Sequence, residues 1–361
     1  KVVTTKAAQE YGIVDKDLYH IPISCLKDEN KLLINGDILM STANSLNLLG
    51  RTTFVRDIND KVTFGAFMTL VRSKPEKVLS LFLLHILKSD QAKEYYNSNA
   101  NTTTNISNLT FEDLGNFQIP LPPLSVQEEI VAEIEGYQKI IDGAKMVVEN
   151  YKPKIDIDPE WEMVELGEIA DITSSKRIFQ EEYVSEGIPF YRTKEVVELS
   201  KGKEISLELF ISNERYNEIK GKFDVPKKGE ILLSAVGTIG VSWVISDDRK
   251  FYFKDGNLIW IKNIKNALPG YIKMALDHTF INELSHMTFG AAYSALTIVK
   301  LKELKVPFPH IDTQRQIVSR IENEQALVNA NKELITIFEG KIKERIAKVW
   351  GETAPNSLKG A

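Results

Sequence analysis

The side chains of this chain that can do chemistry lie in polar stretches and not in a catalytic cluster. Asn101-Thr-Thr-Thr-Asn105 is a dense run of hydrogen-bond donors and acceptors, and Ser41-Thr-Ala-Asn44 is a second one. Tyr191-Arg-Thr-Lys194 adds an aromatic ring and two cations. Such groups hydrogen-bond to phosphate oxygens and to base edges, so they suit the reading of a nucleic-acid surface.

The candidate contact residues share a polar or aromatic side chain and a predicted place in a loop or at a strand end. Solvated surface loops would show the same residue types. The recurrence of these stretches at equivalent places in two halves of the chain favours binding. The candidates are Ser41, Thr42, Asn44, Arg51, Thr103, Thr104, Asn105, Arg177, Tyr191, Arg192, Thr193, Lys194, Ser234, Thr238, Tyr293 and Ser294.

No catalytic signature is present in the sequence. The Pro122-Pro123 pair is flanked by leucines, so it lacks the Asn/Asp-Pro-Pro-aromatic tetrapeptide of an amino-methyltransferase. Gly237-Thr-Ile-Gly240 lacks the further spacing and the strand–helix context of a nucleotide-binding loop. Five histidines and one cysteine are too scattered to predict a zinc site. We therefore expect no catalytic residue, no metal and no cofactor bound by this chain.

Composition is that of an ordinary globular protein without membrane spans. The chain has 361 residues and a net charge of −5. The acidity is local, because residues 121–160 contain nine acids and four lysines and leave the rest of the chain neutral overall. A single cysteine excludes an intrachain disulfide, and no apolar run is long enough to cross a bilayer. We expect a cytoplasmic protein whose charge is compatible with DNA binding.

One passage of the chain occurs twice, and this repeat organises the fold. Ile119–Ile134 and Val306–Ile321 both give a proline-broken apolar stretch followed by a helix, with Gln127 and Gln314 in step. Upstream matches extend the repeat: residues 35–41 match 228–234, and residues 50–55 match 240–245. Each copy predicts a β-rich α+β domain that ends in a long helix.

The first copy is predicted to be incomplete at its start. The second copy opens at Trp161 and reaches Gly229 after 68 residues, whereas only 35 residues precede Gly36 in the first. We therefore expect a counterpart of Ile188–Lys194 to be missing from the first copy. The chain also begins without methionine, which favours a C-terminal portion of something longer or an ordered fragment.

The two long helices carry apolar residues at alternating spacings of four and three. In the first helix this seam includes Ile130, Ile134 and Ile141, and in the second it includes Ile335 and Ile342. Such heptad spacing predicts that the helices pair with each other in a coiled coil. The alternative is that each helix lies on its own domain.

These motifs together resemble the specificity subunit of type I restriction-modification enzymes. The resemblance rests on the Pro-Leu-Pro-Pro-Leu-Ser-Val-Gln-Glu-Glu-Ile-Val-Ala-Glu-Ile passage, on Ile188-Pro-Phe-Tyr-Arg-Thr-Lys194 and on Gly-Glu-Ile-Leu-Leu-Ser, and it covers essentially the whole chain. It implies an α+β fold in which two β-rich α/β target-recognition domains are joined by two long helices that form an antiparallel coiled coil. The implied divisions are a first domain at 1–123, a helix at 124–152, a linker at 153–160, a second domain at 161–309, a helix at 310–350 and a tail at 351–361.

The resemblance also implies partners and a task. The chain would read a bipartite, asymmetric site in double-stranded DNA without being an enzyme itself. It would direct adenine methyltransferase subunits, two of them, which carry S-adenosylmethionine, and a restriction or translocase subunit would join the complex. Two alternatives stay open at this stage: a recognition region of a single-chain fused enzyme, or a coiled-coil adapter with no DNA role.

Overall fold

The computed structural model describes residues 1–26, 28–103, 106–286 and 296–351. It divides into two compact units. The first unit holds Lys1–Asn150 together with the chain from Val328 on, and the second unit holds Tyr151–Leu327. Among the described residues, no helix combines the length and the apolar character that a membrane span requires.

The first unit is built from short strands and four helices of its own. Five 3₁₀ turns interrupt the described chain, four of them in this unit (Asp15–Asp17, Ile23–Cys25, Glu29–Lys31 and Leu46–Leu48) and one at Gln180–Glu182. The elements of the first unit are β1 Val2–Val3, β2 Ala8–Gln9, β3 Gly12–Ile13, β4 Ile38–Ser41, β5 Ala43–Asn44, β6 Thr52–Phe54, β7 Thr63–Phe64, β8 Met68–Val71, α1 Ser80–Lys88, α2 Asp90–Asn99, β9 Asn101–Thr102, β10 Ser107–Asn108, α3 Phe111–Asn116 and α4 Leu124–Asn150.

The second unit has sheets with more strands, and its last helix is shared with the first unit. Helix α10 contributes residues 311–327 to the second unit and residues 328–349 to the first. The elements are β11 Met163–Glu165, α5 Leu166–Ile169, β12 Asp171–Thr173, β13 Tyr183–Val184, β14 Ile188–Tyr191, α6 Thr193–Ser200, β15 Phe210–Ile211, α7 Asn213–Lys222, β16 Ile231–Ser234, β17 Ser242–Val244, β18 Tyr252–Phe253, β19 Leu258–Lys262, α8 Pro269–His286, α9 Ile298–Lys302, β20 Lys305–Pro307 and α10 Ile311–Val349.

Both units share a three-stranded antiparallel sheet, which a fourth strand extends in the second unit, and this confirms the predicted repeat. In the first unit the strand order is β6-β4-β8, and in the second it is β12-β19-β16-β17. The registers agree: Ile38 faces Phe54 and Val71, and Ile231 faces Val244 and Ile261. The central strands β4 and β16 are buried along their whole length, as their unbroken apolar sequence requires.

The turn after each central strand also repeats. The amide of Gly50 donates to the carbonyl of Ser41 at 2.8 Å, and the amide of Gly240 donates to the carbonyl of Ser234 at 2.9 Å. Both glycines have positive φ, +77° and +82°, which residues with a side chain rarely adopt. A Cβ on Gly50 would also lie 2.3 Å from the ring of Tyr96. Glycine is therefore needed at Gly50 for two independent reasons.

The repeated glutamines are fully buried polar side chains. Gln127 and Gln314 are both 0% exposed. Gln127 Oε1 accepts from the Leu79 amide at 2.9 Å, and its Nε2 donates to the carbonyls of Lys77 and Pro122 at 3.0 and 2.8 Å. Each glutamine thereby ties the start of a long helix to the segment that precedes the domain's own helix.

Gln314 repeats this arrangement in the second unit. Its Oε1 accepts from the Leu268 amide at 2.9 Å, and its Nε2 faces the carbonyls of Asn266 and Pro309 at 3.5 and 2.9 Å. The match of three partners in each unit makes this a structural joint of the repeated fold.

The predicted pairing of the long helices is confirmed, and it runs antiparallel. In the first unit, Arg345 Nε lies 2.7 Å from Glu133 Oε2, and the rings of Tyr137 and Phe338 lie 5.3 Å apart. Residue numbers thus rise along α4 while they fall along α10. Ile130, Ile134 and Ile346 are buried together in the seam.

The alternative, in which each helix lies on its own domain, holds for the first turns of both helices. Ile130 and Ile134 also pack against Phe82 and Ile86 of α1. On α10, Ile317 and Ile321 belong to the main core of the second unit. The first turns of both helices therefore pack on their own domains, and on α4 the residues that do so, Ile130 and Ile134, also belong to the seam.

The expectation that the first copy lacks a counterpart of Ile188–Lys194 is wrong. Strand β1 pairs in parallel with β7, with Val2 opposite Thr63 and Val3 opposite Phe64. Strand β14 pairs in parallel with β18 in the same way, with Phe190 opposite Tyr252 and Tyr191 opposite Phe253. The residues that follow, Thr4-Thr5-Lys6, therefore correspond to Arg192-Thr193-Lys194. The two-residue strand was too short to be visible in the sequence.

Candidate nucleic-acid interface

In the first unit, several predicted contact residues meet at one edge, where β4 passes into β5. Strand β5 pairs with β10, which places Asn44 opposite Ser107. Strand β9 continues this small sheet, and Ser107 also faces Thr102. Thr103 follows β9, is exposed, and donates its hydroxyl to the Ile106 carbonyl at 3.0 Å. The sheet thus brings Asn44 and Thr103 together although 59 positions separate them in sequence.

Two residues of this edge are buried and act as supports. Ser41 Oγ accepts from the side-chain amide of Asn44 at 3.1 Å. Thr42 Oγ1 lies 3.0 Å from Thr69 Oγ1, within the sheet. Because both hydroxyls are covered by protein, we correct their predicted role from DNA contact to support of the loop. Asn44, which is half-buried, is the residue that they position.

Arg51 joins the same edge to the start of the chain. Its backbone carbonyl accepts from the Ser41 amide at 2.8 Å, and its guanidinium donates to the carbonyl of Thr5. The residue is half-buried. Two further candidates, Thr104 and Asn105, lie outside the described residues.

In the second unit, four loops converge at the corresponding edge. The Lys254 amide donates to the Tyr191 carbonyl at 2.9 Å, and the Ala235 amide donates to the Asn257 carbonyl at 2.9 Å. Arg177 Nε lies 2.7 Å from Asp255 Oδ2. These contacts join the loops that follow β12, β14, β16 and β18. Arg177 and Thr238 are exposed on them, and Tyr293 and Ser294 lie outside the described residues.

Two predicted contact residues of this edge, Tyr191 and Ser234, have buried side chains that interact with other protein groups. Tyr191 is 3% exposed, and its ring stacks on Phe251 at 4.5 Å with an interplanar angle of 14°. Burial raises the pKa of its phenol. Ser234 is fully covered: its hydroxyl accepts from the Val241 amide at 2.9 Å and donates to the Thr238 carbonyl. Their predicted DNA contacts are therefore corrected to packing and loop support.

The cations of the Tyr191–Lys194 stretch are held by acids. Arg192 binds Glu195 at 2.7 Å and Glu208 at 2.6 Å, and Lys194 Nζ lies 2.7 Å from Glu208 Oε1. The hydrogen bond from Lys194, followed by that from Arg192, lowers the pKa of Glu208 to about 2. Glu195 is buried and also accepts from the Arg192 amide at 2.8 Å. Arg192 is thus largely committed to bracing α6, whereas Lys194 is 63% exposed.

Thr193 begins α6 beside these cations. Its hydroxyl is buried and has no hydrogen-bond partner among the residues that the structure describes. An unsatisfied buried hydroxyl is uncommon, because the desolvated group loses its bonds to water. Because this hydroxyl is covered by protein, as those of Ser41 and Thr42 are, we correct its predicted role from DNA contact to a position at the start of α6.

Sequence reasoning missed Glu208 and the Thr4–Lys6 stretch. Glu208 lies 14 positions after Lys194, and nothing in its surroundings marks it as a partner of two cations. The Thr4–Lys6 stretch carried one signal, since Val3-Thr-Thr-Lys6 and Tyr191-Arg-Thr-Lys194 share Thr-Lys at the same offset. Within the described ranges, no three His, Cys, Asp or Glu side chains are grouped to hold a metal ion.

The geometry defines a class of protein. The same three-stranded sheet occurs in both units, and each unit carries different polar loops at the edge of that sheet. The model of the type I restriction modification DNA specificity domain matches residues 9–149 and 159–337. The chain therefore belongs to this family, with one copy of the domain in each half.

Two relatives agree with this assignment. A protein named as a type I restriction enzyme specificity subunit in Haemophilus influenzae is 32% identical over 62% of this chain, and the match spans 59% of that relative's own length. The MjaVIII type I restriction enzyme specificity subunit of Methanocaldococcus jannaschii is 23% identical over 81% of this chain and 72% of its own.

The fold is shared with solved chains of such systems. A chain from a type I R-M system studied for its complex assembly and conformational transition superposes with a TM-score of 0.62 at 21% identity, over 97% of this chain and 90% of its own. The S subunit of the M. genitalium type I restriction-modification system gives 0.50 at 16% identity, over 90% and 86%. At these identities the likeness concerns the fold.

Proposed function

We propose that this chain is the DNA-reading, non-catalytic component of a type I restriction-modification system. It recognises a bipartite, asymmetric site in double-stranded DNA, and one half-site is read by each unit. The observation that carries this proposal is the pair of equivalent sheet edges with unlike loops. Asn44, Arg51 and Thr103 occupy the edge in the first unit, and Arg177, Lys194 and Thr238 occupy it in the second.

The cations at the edges are suited to contacts with the phosphates of the DNA backbone. Arg177 and Lys194 each present a cation that is more than half exposed, although an acid lies within 2.7 Å of each. Phosphates compete with such surface acids because an exposed ion pair contributes only about 0–1 kcal/mol. Uncharged donors such as Asn44 are suited to base edges, since an amide pairs with adenine through two hydrogen bonds.

Catalysis in this proposal belongs to partner subunits. Two adenine methyltransferase subunits bind S-adenosylmethionine and are directed to the site by this chain, and a restriction or translocase subunit completes the complex in the cytoplasm. The family match supports this division of labour. It also favours DNA recognition over the role of a coiled-coil adapter.

A selection experiment tests the proposal. The full chain, produced together with its methyltransferase subunits, is incubated with a randomised duplex library, and bound DNA is sequenced through several rounds. We expect two conserved blocks of different sequence that are separated by a spacer of fixed length. Recovery of DNA without any common sequence would refute the proposal.

Variants of one unit locate the half-sites. Lys194→Ala weakens binding, and Thr238→Val relaxes or shifts the block read by the second unit while the other block is retained. Asn44→Ala has the reverse effect on the other block. A change in both blocks from one substitution would contradict the assignment of one half-site to each unit.

A further inference from the structure

We infer that Thr4-Thr5-Lys6 is a DNA-backbone contact of the first unit, with the ammonium of Lys6 as a ligand for a phosphate. This inference rests on the proposed function and adds a site to it. It assigns a DNA role to a stretch that neither composition nor the upstream repeat had marked. Among the candidate residues at the edge of the first unit where β4 passes into β5, Arg51 is the one cation. Lys6 adds a second cation there.

The backbone places this stretch at the position of Arg192–Lys194. One further backbone hydrogen bond follows the paired residues in each unit. The Gly65 amide donates to the Val3 carbonyl at 2.9 Å, and the Lys254 amide donates to the Tyr191 carbonyl at 2.9 Å. The chain therefore leaves β1 and β14 at the same point of the same pairing. Lys6 and Lys194 each stand three positions after the last paired residue.

Contacts with the recognition edge fix the stretch in place. The Arg51 guanidinium donates to the Thr5 carbonyl, and Arg51 is bonded through its own carbonyl to Ser41. Thr4 Oγ1 accepts from the Ala7 amide at 3.2 Å and lies 3.4 Å from the Asp17 carbonyl. The backbone of the stretch is thus linked through Arg51 to Ser41, whose hydroxyl accepts from Asn44, while the side chain of Lys6 is 79% exposed.

The surroundings of the two lysines match as well. Lys6 Nζ lies 2.6 Å from Asp17 Oδ1, and Lys194 Nζ lies 2.7 Å from Glu208 Oε1. In each unit an acid thus occupies the place next to the ammonium that a phosphate oxygen would take. DNA must displace the acid, so removal of the acid favours binding and removal of the lysine opposes it.

This opposition gives a test that a structural role alone would fail. The full chain with its methyltransferase subunits is titrated with the duplex obtained by selection, at salt concentrations between 0.05 and 0.3 M (about the range where counterion release is measurable). One lost phosphate contact lowers the salt slope by about 0.9 and the affinity at 0.15 M by about five-fold. We expect this loss for Lys6→Ala and tighter binding for Asp17→Asn, although both variants break the same ion pair.

Lys332→Ala is the matched control, because it removes one exposed positive charge from the α10 part of the first unit. It should leave affinity and slope unchanged. If Lys6→Ala binds like the wild type while Lys194→Ala is weakened, the inference is wrong and the proposed function stands. If Lys6→Ala and Asp17→Asn both weaken binding together with a lower melting temperature, the pair is structural and the inference is also wrong. If the wild type selects no sequence, the proposed function and this inference both fail.

Discussion

Replacement of the buried glutamine at either helix joint should destabilise one unit selectively. Gln127→Leu keeps the volume but removes one acceptor and two donors. The Leu79 amide loses its bond of 2.9 Å to Oε1, and the carbonyls of Lys77 and Pro122 lose theirs to Nε2. A buried polar group left without a partner costs about 1–3 kcal/mol. Lys77 is exposed, so water can replace its bond, and the expected net loss is about 3 kcal/mol.

The isosteric variant Gln127→Glu sharpens this prediction. Its second carboxylate oxygen would replace a donor and face two carbonyl oxygens in a fully buried site. The loss at neutral pH should exceed that of Gln127→Leu, because a buried carboxylate without a donor is strongly disfavoured. Burial raises the pKa of such a carboxyl, so the difference from wild type should shrink as the pH is lowered and the group becomes neutral.

The assay is thermal unfolding followed by circular dichroism, with hydrogen–deuterium exchange to localise the effect. For a unit of this size, about 3 kcal/mol corresponds to roughly 6–12 °C. Gln127→Leu should speed exchange in the first unit, and Gln314→Leu should do so in the second. The matched control is Gln316→Leu on the exposed face of α10. If Gln127→Leu melts within 2 °C (about 1 kcal/mol) of that control, the joint is not a stabilising feature and the reasoning is refuted.

Two further predictions concern the α1–α4 contact and the helix seam. The buried imidazole of His85 has its pKa lowered to about 4 by desolvation, since Glu135 Oε1, at 3.8 Å from Nε2, is too distant for a hydrogen bond. The folded pKa lies below that of the unfolded chain, so stability is complete at pH 7 and falls by about 2 kcal/mol by pH 5. Urea titrations at both pH values should show this loss, and His85→Gln should lack it; an equal pH dependence in both proteins would contradict the assignment. Ile134→Asp should cost at least about 4 kcal/mol, because it places a charge in the seam. Ile140→Asp, at a site that is 41% exposed, should unfold like the wild type, and equal losses in the two variants would argue against a buried seam.

The elements with long buried strands and helices could be predicted from the sequence. Strands β4 and β16 lie within the repeated Gly-Asp/Glu-Ile-Leu passage. Each pairs with the next repeated strand along the chain, β6 in the first unit and β17 in the second. The seam was predictable because heptad spacing at Ile130, Ile134 and Ile141 leaves little choice of face. These features depend on local patterns that packing reinforces.

The edges were predicted less well because they depend on distant partners. The phenol of Tyr191 looks available in a polar stretch, but Phe251 covers it from 60 positions away. Ser41 and Ser234 end their strands as predicted, yet both hydroxyls are consumed inside the loops that they begin. Strand β1 of the first unit escaped detection because a parallel pair of two-residue strands has no periodicity. The sequence was therefore sufficient to predict which loops lie at the edges, but not which of their side chains are exposed to solvent.

The most direct test of the central claim is a map of adenine methylation in cells that carry or lack the gene. The genomic DNA is sequenced by a single-molecule method that detects N6-methyladenine. We expect one methylated motif that depends on the gene and has two unlike blocks, and Lys194→Ala should reduce its methylation across all copies. A methylation map that is identical with and without the gene, in cells shown to contain the intact complex, would contradict DNA recognition by this chain.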